Sequence, residues 1–351
     1  MTTQEPMLSV RDLQVQFDTP EGIVRAVDGV SFDVGQGETV CVVGESGSGK
    51  TVTIESITQI LPMPPGEIVG GEVMFDGQDL TQSSADEIRK VRGDRISHVF
   101  QNPQGSLNPV YTVGAQIREA IQANMDLSDT AARERAIELL DEVGIPEAAA
   151  RIDDYPHEFS GGMKQRVVIA IALAGEPDLL IADEPTTALD VTIEAQILDL
   201  FMQLQEERDM SIIFVTHDLG VVAAIADRVV VMYASKVMEQ ADVYEIFDEP
   251  AHPYTIALLQ CLPGPDGATP IRGSLPSLVD PPSGCRFADR CDYAMDACRS
   301  GGQPPLLPVS DEDHRVSCVL YEDAFDASVI ERADRRIAAE PVATNGGNDE
   351  Q

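Results

Sequence analysis

The sequence predicts an α/β fold built on a parallel sheet, followed by a small cysteine-bearing C-terminal module. Three observations lead there. Short apolar runs at Thr39–Val43, Asp178–Asp183 and Ser211–Thr216 have the length and composition of buried strands, and each runs into residues that carry chemistry. Stretches with helical apolar spacing and capping residues lie between them. Beyond them, a Pro/Gly-rich segment from Pro263 to Pro282 sets off four clustered cysteines.

A chain of 351 residues has room for one full domain and a smaller appendage, and 43% hydrophobic content is ordinary for a protein with a real core. No run approaches the roughly 18 to 20 apolar residues needed to span a bilayer. The first residues, Met1 to Glu5, lack the basic start and apolar stretch of a secretory leader. The expectation is an intracellular protein that reaches a membrane only through partners.

The charge is extreme. Sixty Asp and Glu against 24 Lys and Arg give a net of -36, and lysine occurs only at Lys50, Lys90, Lys164 and Lys236. Self-repulsion of that size opposes compaction unless salt screens it, and the Debye length falls to about 3 Å at 1 M ionic strength. The composition therefore implies a high-salt cytoplasm, such as that of a halophilic archaeon. It also argues against a general nucleic-acid binder, because phosphate-backbone affinity comes from clustered Lys and Arg.

The strand Thr39–Val43 enters Gly44-Glu45-Ser46-Gly47-Ser48-Gly49-Lys50-Thr51, a Gly-x4-Gly-Lys-Thr loop, and Val52 continues into a predicted helix. Glycines let backbone N–H groups wrap the β- and γ-phosphates of a nucleotide, and the helix N-terminus adds its positive end. Lys50 supplies a point charge and the Thr51 hydroxyl can ligate Mg²⁺. The second run ends in Asp183 and Glu184. Neighbouring strand residues point to opposite sides, so Asp183 can serve the Mg²⁺ shell while Glu184 acts as general base on the attacking water. The third run ends at His217, and the carboxyl ends of parallel strands are where ligands sit. Lys50, Glu184 and His217 are the predicted catalytic set.

Phe159-Ser160-Gly161-Gly162-Met163-Lys164-Gln165-Arg166 resembles the signature segment of ABC ATPases, with Phe159 in place of the usual leucine. In this order with the phosphate loop, acidic strand and histidine, it implies an ABC-type P-loop NTPase, with a RecA-like core, an antiparallel β subdomain and a helical subdomain. The resemblance further implies that two such domains pair head to tail, with ATP between the phosphate loop of one and Ser160, Gly161, Gly162 and Gln165 of the other. It makes Val99–Pro103 a Q-loop that places Gln101 near Mg²⁺. Thr187–Asp190 becomes a D-loop whose Asp190 lies at the opposite subunit, and Phe17 becomes the ring against adenine.

The match is closest to the oligopeptide/dipeptide importer group, through Gln104–Pro109, His252–Leu259 and the opening Ala26–Phe32, which is similar to the first of that group's two paired ATPases. The implied partners are a second homologous ATPase, two membrane permeases and an extracellular solute-binding protein, with this chain on the cytoplasmic face of the membrane. The same machinery also serves nickel, sugars or other small solutes. A soluble ABC ATPase uncoupled from transport would need coiled-coil insertions or tandem halves that the sequence lacks.

The layout expected is an ATPase domain over 1–262, with a helical subdomain at about 102–170. A cysteine module follows over 263–335, then a disordered tail over 336–351. A helix should open at Ser128 and stop before Gly144. Cys285, Cys291, Cys298 and Cys318 are separated by 5, 6 and 19 residues. In a reducing cytosol such a cluster favours metal over disulfides. Four thiolates suit Zn²⁺ or a 4Fe-4S cluster, and the absence of tight Cys-x2-Cys pairs favours the cluster; with no His ligand or short pair to secure a metal, four free thiols are the alternative. Cys41 and Cys261 are expected to be ordinary buried thiols.

Overall fold

The computed structural model describes residues 5–101, 103–187, 189–262, 267–309 and 313–330. Asn102 of the expected Q-loop, Ala188 of the expected D-loop and the expected tail lie outside the described residues.

Twelve strands form two sheets among the described residues. They are β1 (Leu8–Thr19), β2 (Gly22–Val34), β3 (Thr39–Val43), β4 (Gly66–Phe75), β5 (Gln78–Asp79) and β6 (Ile96–Val99), then β7 (Leu179–Asp183), β8 (Ser211–Thr216), β9 (Arg228–Tyr233), β10 (Lys236–Asp242), β11 (Leu307–Pro308) and β12 (Arg315–Val316). The smaller sheet, β2-β1-β4-β5, is antiparallel, and the larger has the order β11-β12-β10-β9-β3-β8-β7-β6. The strands β9, β3, β8, β7 and β6 run parallel. Their apolar runs are unbroken because both faces are covered: every residue of β3, β7 and β8 is buried.

One face packs against the antiparallel sheet and the helix Lys50–Ile57, joining Leu8, Val10 and Phe32 to Val40, Val42, Ile54 and Ile57 in one core. The other face belongs to a core that continues into the helices Val113–Asn124, Asp129–Glu142 and Gly161–Ala172. The expected helix after Ser128 forms, with the Ser128 hydroxyl accepting from Ala131 N at 3.3 Å and Gly144 at φ 74° just beyond its end. Ala132, Ala136, Leu139 and Leu140 are the buried residues of that helix.

The C-terminal segment is fastened to the larger sheet rather than hung from it. β12 pairs with β10 in the register Glu239↔Val316 and Gln240↔Arg315. The Pro/Gly-rich segment reads as a linker by composition. In the fold its apolar residues Ile271, Leu275 and Leu278 pack against the core, and Leu278 O accepts from Arg25 N at 2.9 Å. Cys261 departs from expectation. The helix Pro253–Gln260 ends one residue earlier, leaving the thiol exposed, where it donates to Ala257 O and Thr269 O. Cys41, inside β3, is buried as expected.

Glu239 is the fastening point. Its fully buried carboxylate accepts from Ala251 N at 2.7 Å and His252 N at 2.8 Å, and pairs with His314 Nε2 at 2.8 Å. A buried carboxylate is tolerated only when its lone pairs are used, and here one side chain joins β10, the segment before the helix Pro253–Gln260, and the turn before β12. Glu239→Ala leaves two backbone amides and an imidazole without their acceptor. It should cost about 3 kcal/mol or more, measured as a lower unfolding midpoint in denaturant.

Candidate nucleotide site

The loop Gly44–Thr51 is shaped by what crowds it. Gly44 has φ 151°, and a Cβ there would lie 2.0 Å from Met232 O of β9. Gly49 has φ 101°, and a Cβ there would lie 2.4 Å from Ala26 O of β2. Only glycine fits a positive φ with backbone pressed so close. The loop is tied from beneath, since Ser235 N donates to Ser48 O at 2.8 Å. Lys50 is buried and its ammonium spans the loop, donating to Gly44 O at 2.7 Å and Glu45 O at 3.1 Å. Burial pulls the Lys50 pKa below the ordinary amine range, while Glu184, Asp183 and Glu45 oppose that shift. The helix Lys50–Ile57 starts at Gly49 with no side-chain cap, so its first amides remain available to an anion.

Parallel register brings the other residues to the same edge. Val43, at the end of β3, lies opposite Thr216 of β8, and Asp183, at the end of β7, lies opposite Val215. Thr51 donates to Asp183 Oδ2 at 2.9 Å, while Asp183 Oδ1 is buried without a partner. Burial and the neighbouring Glu184 raise the Asp183 pKa, against the lowering effects of the Thr51 bond and Lys50. A hydroxyl beside a carboxylate with a spare buried oxygen is a hard-oxygen donor set that fits Mg²⁺.

Glu184 takes a different job by a different route from the one expected. β7 stops at Asp183, and Glu184 turns into the left-handed region at φ 45°, its amide donating to Val215 O at 2.9 Å. The turn, and not strand alternation, separates the two carboxylates. Glu184 Oε1 faces His217 Nδ1 at 3.1 Å, and Oε2 accepts from Gln101 Nε2 at 2.8 Å and Thr187 Oγ1 at 3.0 Å. Burial alone would raise its pKa, but the bonds from His217 and Thr187, with the charges of His217 and Lys50, hold it below the usual glutamate range. It is thus an ionised acceptor held by three side chains, suited to orient and polarise a water. The bond from Thr187 was not anticipated, because no motif marks a hydroxyl that folds back three residues.

Ser160 caps the helix Gly161–Ala172, its hydroxyl accepting from Met163 N at 3.3 Å, with Ser160 and Gly161 exposed. Phe159 is buried beneath the Arg151 guanidinium, 4.8 Å from its ring centre. Gly162 packs so near Ile193 that a Cβ would lie 2.6 Å from it. Asp190 caps the helix Val191–Arg208 through Ile193 N at 3.0 Å, so Ile193 joins the segment around Gly162 to the start of that helix. Gln165 is fully buried, with neither amide atom hydrogen-bonded. Phe17 is half-buried in β1, opposite Val24 and Gly66, with its ring edge against Gly66.

Cys285, Cys291, Cys298 and Cys318 come together from 34 residues of chain to line one small cavity with His252, Phe287 and Leu320. Burial pushes the Cys291 thiol up to about 11 and Cys318 up to about 12, with Cys285 and Cys298 adding to both. Among the described residues, no group of three or more His, Cys, Asp or Glu is arranged to hold a metal ion.

Residues 27–187 match the ABC transporter family, and residues 238–298 match the oligopeptide/dipeptide transporter C-terminal region. Over 323 residues, 91% of this chain and 90% of the relative, it is 51% identical to the oligopeptide transport ATP-binding protein OppD of Bacillus subtilis. The chain belongs to the ABC transporter ATP-binding proteins. The family and fold expected from the motifs are thereby established. This ABC ATPase is also 49% identical to the dipeptide transport ATP-binding protein DppD of Bacillus subtilis, over 93% of this chain and 98% of that one. Among solved structures it resembles a dimeric ATP-binding cassette in a post-hydrolysis state bound to ADP and Pi, with TM-score 0.61 and 29% identity, covering 68% of this chain and 99% of the cassette. No helix among the described residues is long and apolar enough to cross a membrane.

Proposed function

We propose that this ABC ATPase powers import of di- and oligopeptides through partner membrane permeases. It would act from the cytoplasmic face beside a second homologous ATPase, with an extracellular protein delivering the solute. The observation that carries the peptide reading is the match of residues 238–298 to the oligopeptide/dipeptide transporter C-terminal region, supported by the names of the two relatives.

In this reading the amides of the loop 44–51, with Lys50, hold the phosphates. Thr51, Asp183 and Gln101 serve Mg²⁺, Glu184 is the base, His217 orients it, and Phe17 meets the adenine. The exposed Ser160 and Gly161 would close on the ATP of the partner ATPase, a reading the dimeric cassette supports. Val52, in the first turn after the phosphate loop, and Asp190, at the start of the helix Val191–Arg208, complete the proposed nucleotide-binding set. ATP binding would close the pair, and hydrolysis would reopen it. The chain would divide at about residue 262 into ATPase domain and cysteine module. Glu184→Gln keeps the side chain's shape and one acceptor oxygen for Gln101 and Thr187 but removes the charge and the acceptor facing His217, so ATP binding should persist while hydrolysis falls at least about a hundredfold. Cells carrying that variant should lose uptake of a labelled dipeptide. Unchanged hydrolysis would remove Glu184 as the base, and unchanged uptake with hydrolysis lost would remove the transport reading.

The cysteine cavity is the candidate for a four-thiolate metal site, with a 4Fe-4S cluster as the first reading and Zn²⁺ as the second. Four thiols around one buried cavity fit the donor set, and an apolar shell suits either ligand. Metal would supply a cross-link among the turns that carry the thiols. Because thiols must deprotonate to ligate, loading should release protons and weaken as pH falls. Metal analysis of anaerobically purified protein should give about four irons per chain, or one zinc; neither would return the four residues to plain buried thiols.

The excess of carboxylates supports a protein adapted to molar salt. Its melting temperature should rise as KCl is raised from about 0.2 to 3 M, where screening shortens to a few ångströms. A flat or falling curve would exclude that adaptation.

A further inference from the structure

The turn that carries the first two cysteines also carries two arginines, each adjacent to a cysteine: Arg286 follows Cys285 and Arg290 precedes Cys291. Both side chains are buried, at 4% and 6% exposure, and both reach into the ATPase core. In a chain with 24 cations and 60 anions, burying two of the cations at one junction is a specific use of them. Arg286 pairs with Asp28 of β2, whose amide donates to Ser235 O, and Ser235 N in turn donates to Ser48 O of the phosphate loop. Arg290 reaches the loop directly. Its Nη1 and Nη2 donate to Glu45 Oε2 and Oε1 at 2.8 and 2.9 Å, a two-pronged pair that fixes orientation as well as distance. Its own position is set by Nε donating to Arg272 O at 2.7 Å, by Nη1 donating to Tyr233 Oη at 3.2 Å, and by the Tyr233 ring at 5.5 Å.

Glu45 is therefore gripped on three sides. Its carboxylate is held by Arg290, its carbonyl oxygen by Lys50 at 3.1 Å, and its amide donates to Tyr254 Oη at 2.9 Å. Tyr254 packs with Tyr233 and Phe287, at ring-centre distances of 4.7 and 5.3 Å, so the third grip also comes from the junction with the cysteine turn. Glu45 is the second residue of the loop that wraps phosphate, and Lys50 is its cation. We infer that Arg290 is a positioning residue for ATP binding: through Glu45 it holds the phosphate loop and Lys50 in the nucleotide-ready shape, making the C-terminal module part of the ATP site. The inference rests on the reading of residues 44–51 as the ATP phosphate site.

The test uses the full-length chain in high salt with Mg²⁺, titrated with a fluorescent ATP analogue and assayed for steady-state hydrolysis. Arg290→Ala should raise Kd and KM for ATP about tenfold and change kcat less than about twofold, the pattern of lost binding that is uniform between ground and transition states. Arg290→Lys, which keeps the charge but loses the fork, should recover part of the loss. Glu45→Gln should raise KM as well, and the double variant should lose little beyond either single one. A lowered melting temperature with KM unchanged would make Arg290 a structural tie and overturn the inference. If Arg290→Ala fails to fold, Arg290→Lys and Glu45→Gln, which retain side-chain volume, carry the test, and unchanged KM in both overturns it equally. Wild-type protein that fails to bind the analogue would instead defeat the ATP-site reading beneath it.

Discussion

Everything in the site depends on the parallel register of β3, β8 and β7. Three strands that share direction end on one edge, and at each end the chain turns into residues that could not meet otherwise. Lys50 follows the first, His217 the second, and Glu184 the third. A slip of one residue would exchange the faces of a strand and carry its terminal side chain away from the edge. The unbroken burial of these strands is what forbids the slip, because each position is packed on one face or the other. Core packing and catalytic geometry are in this sense one constraint.

Much of this was legible in the sequence because its signals are local. A Gly-x4-Gly-Lys-Thr loop between an apolar strand and a helix needs no distant partner to be read, and neither does Ser128 as a helix cap. What escaped was mostly long-range. The Pro/Gly-rich segment reads as a tether because its prolines and glycines dominate its composition, yet its apolar residues Ile271, Leu275 and Leu278 each find the core. The exposure of Cys261 depended on where one helix stops. Glu184 was assigned a separate role from Asp183 by strand alternation, but a left-handed residue makes the separation, and no pattern around a glutamate announces φ 45°. Non-glycine residues in that conformation persist only where the surroundings over-determine them. The bonds from His217, Gln101 and Thr187 are those surroundings.

The charge distribution has two regimes. Carboxylates on the surface leave a large net negative charge, whereas the buried cations Lys50, Arg286 and Arg290 are each placed against named acceptors. Screening by salt acts strongly on the first set and weakly on the second. Salt can therefore govern whether the chain stays folded without setting the local geometry around the phosphate loop.

The pairing of β12 along β10 has a practical consequence for anyone cutting this protein down to its ATPase part. Ending the chain near residue 262 removes β11 and β12 and turns β10 into an open border of the larger sheet, its amides and carbonyls bare. Bare borders recruit other chains. The truncated domain would also keep Glu239 without its imidazole partner from the turn before β12. A minimal version would thus begin life as a sticky, partly charged wound rather than a clean module, and its behaviour would say more about self-association than about ATP.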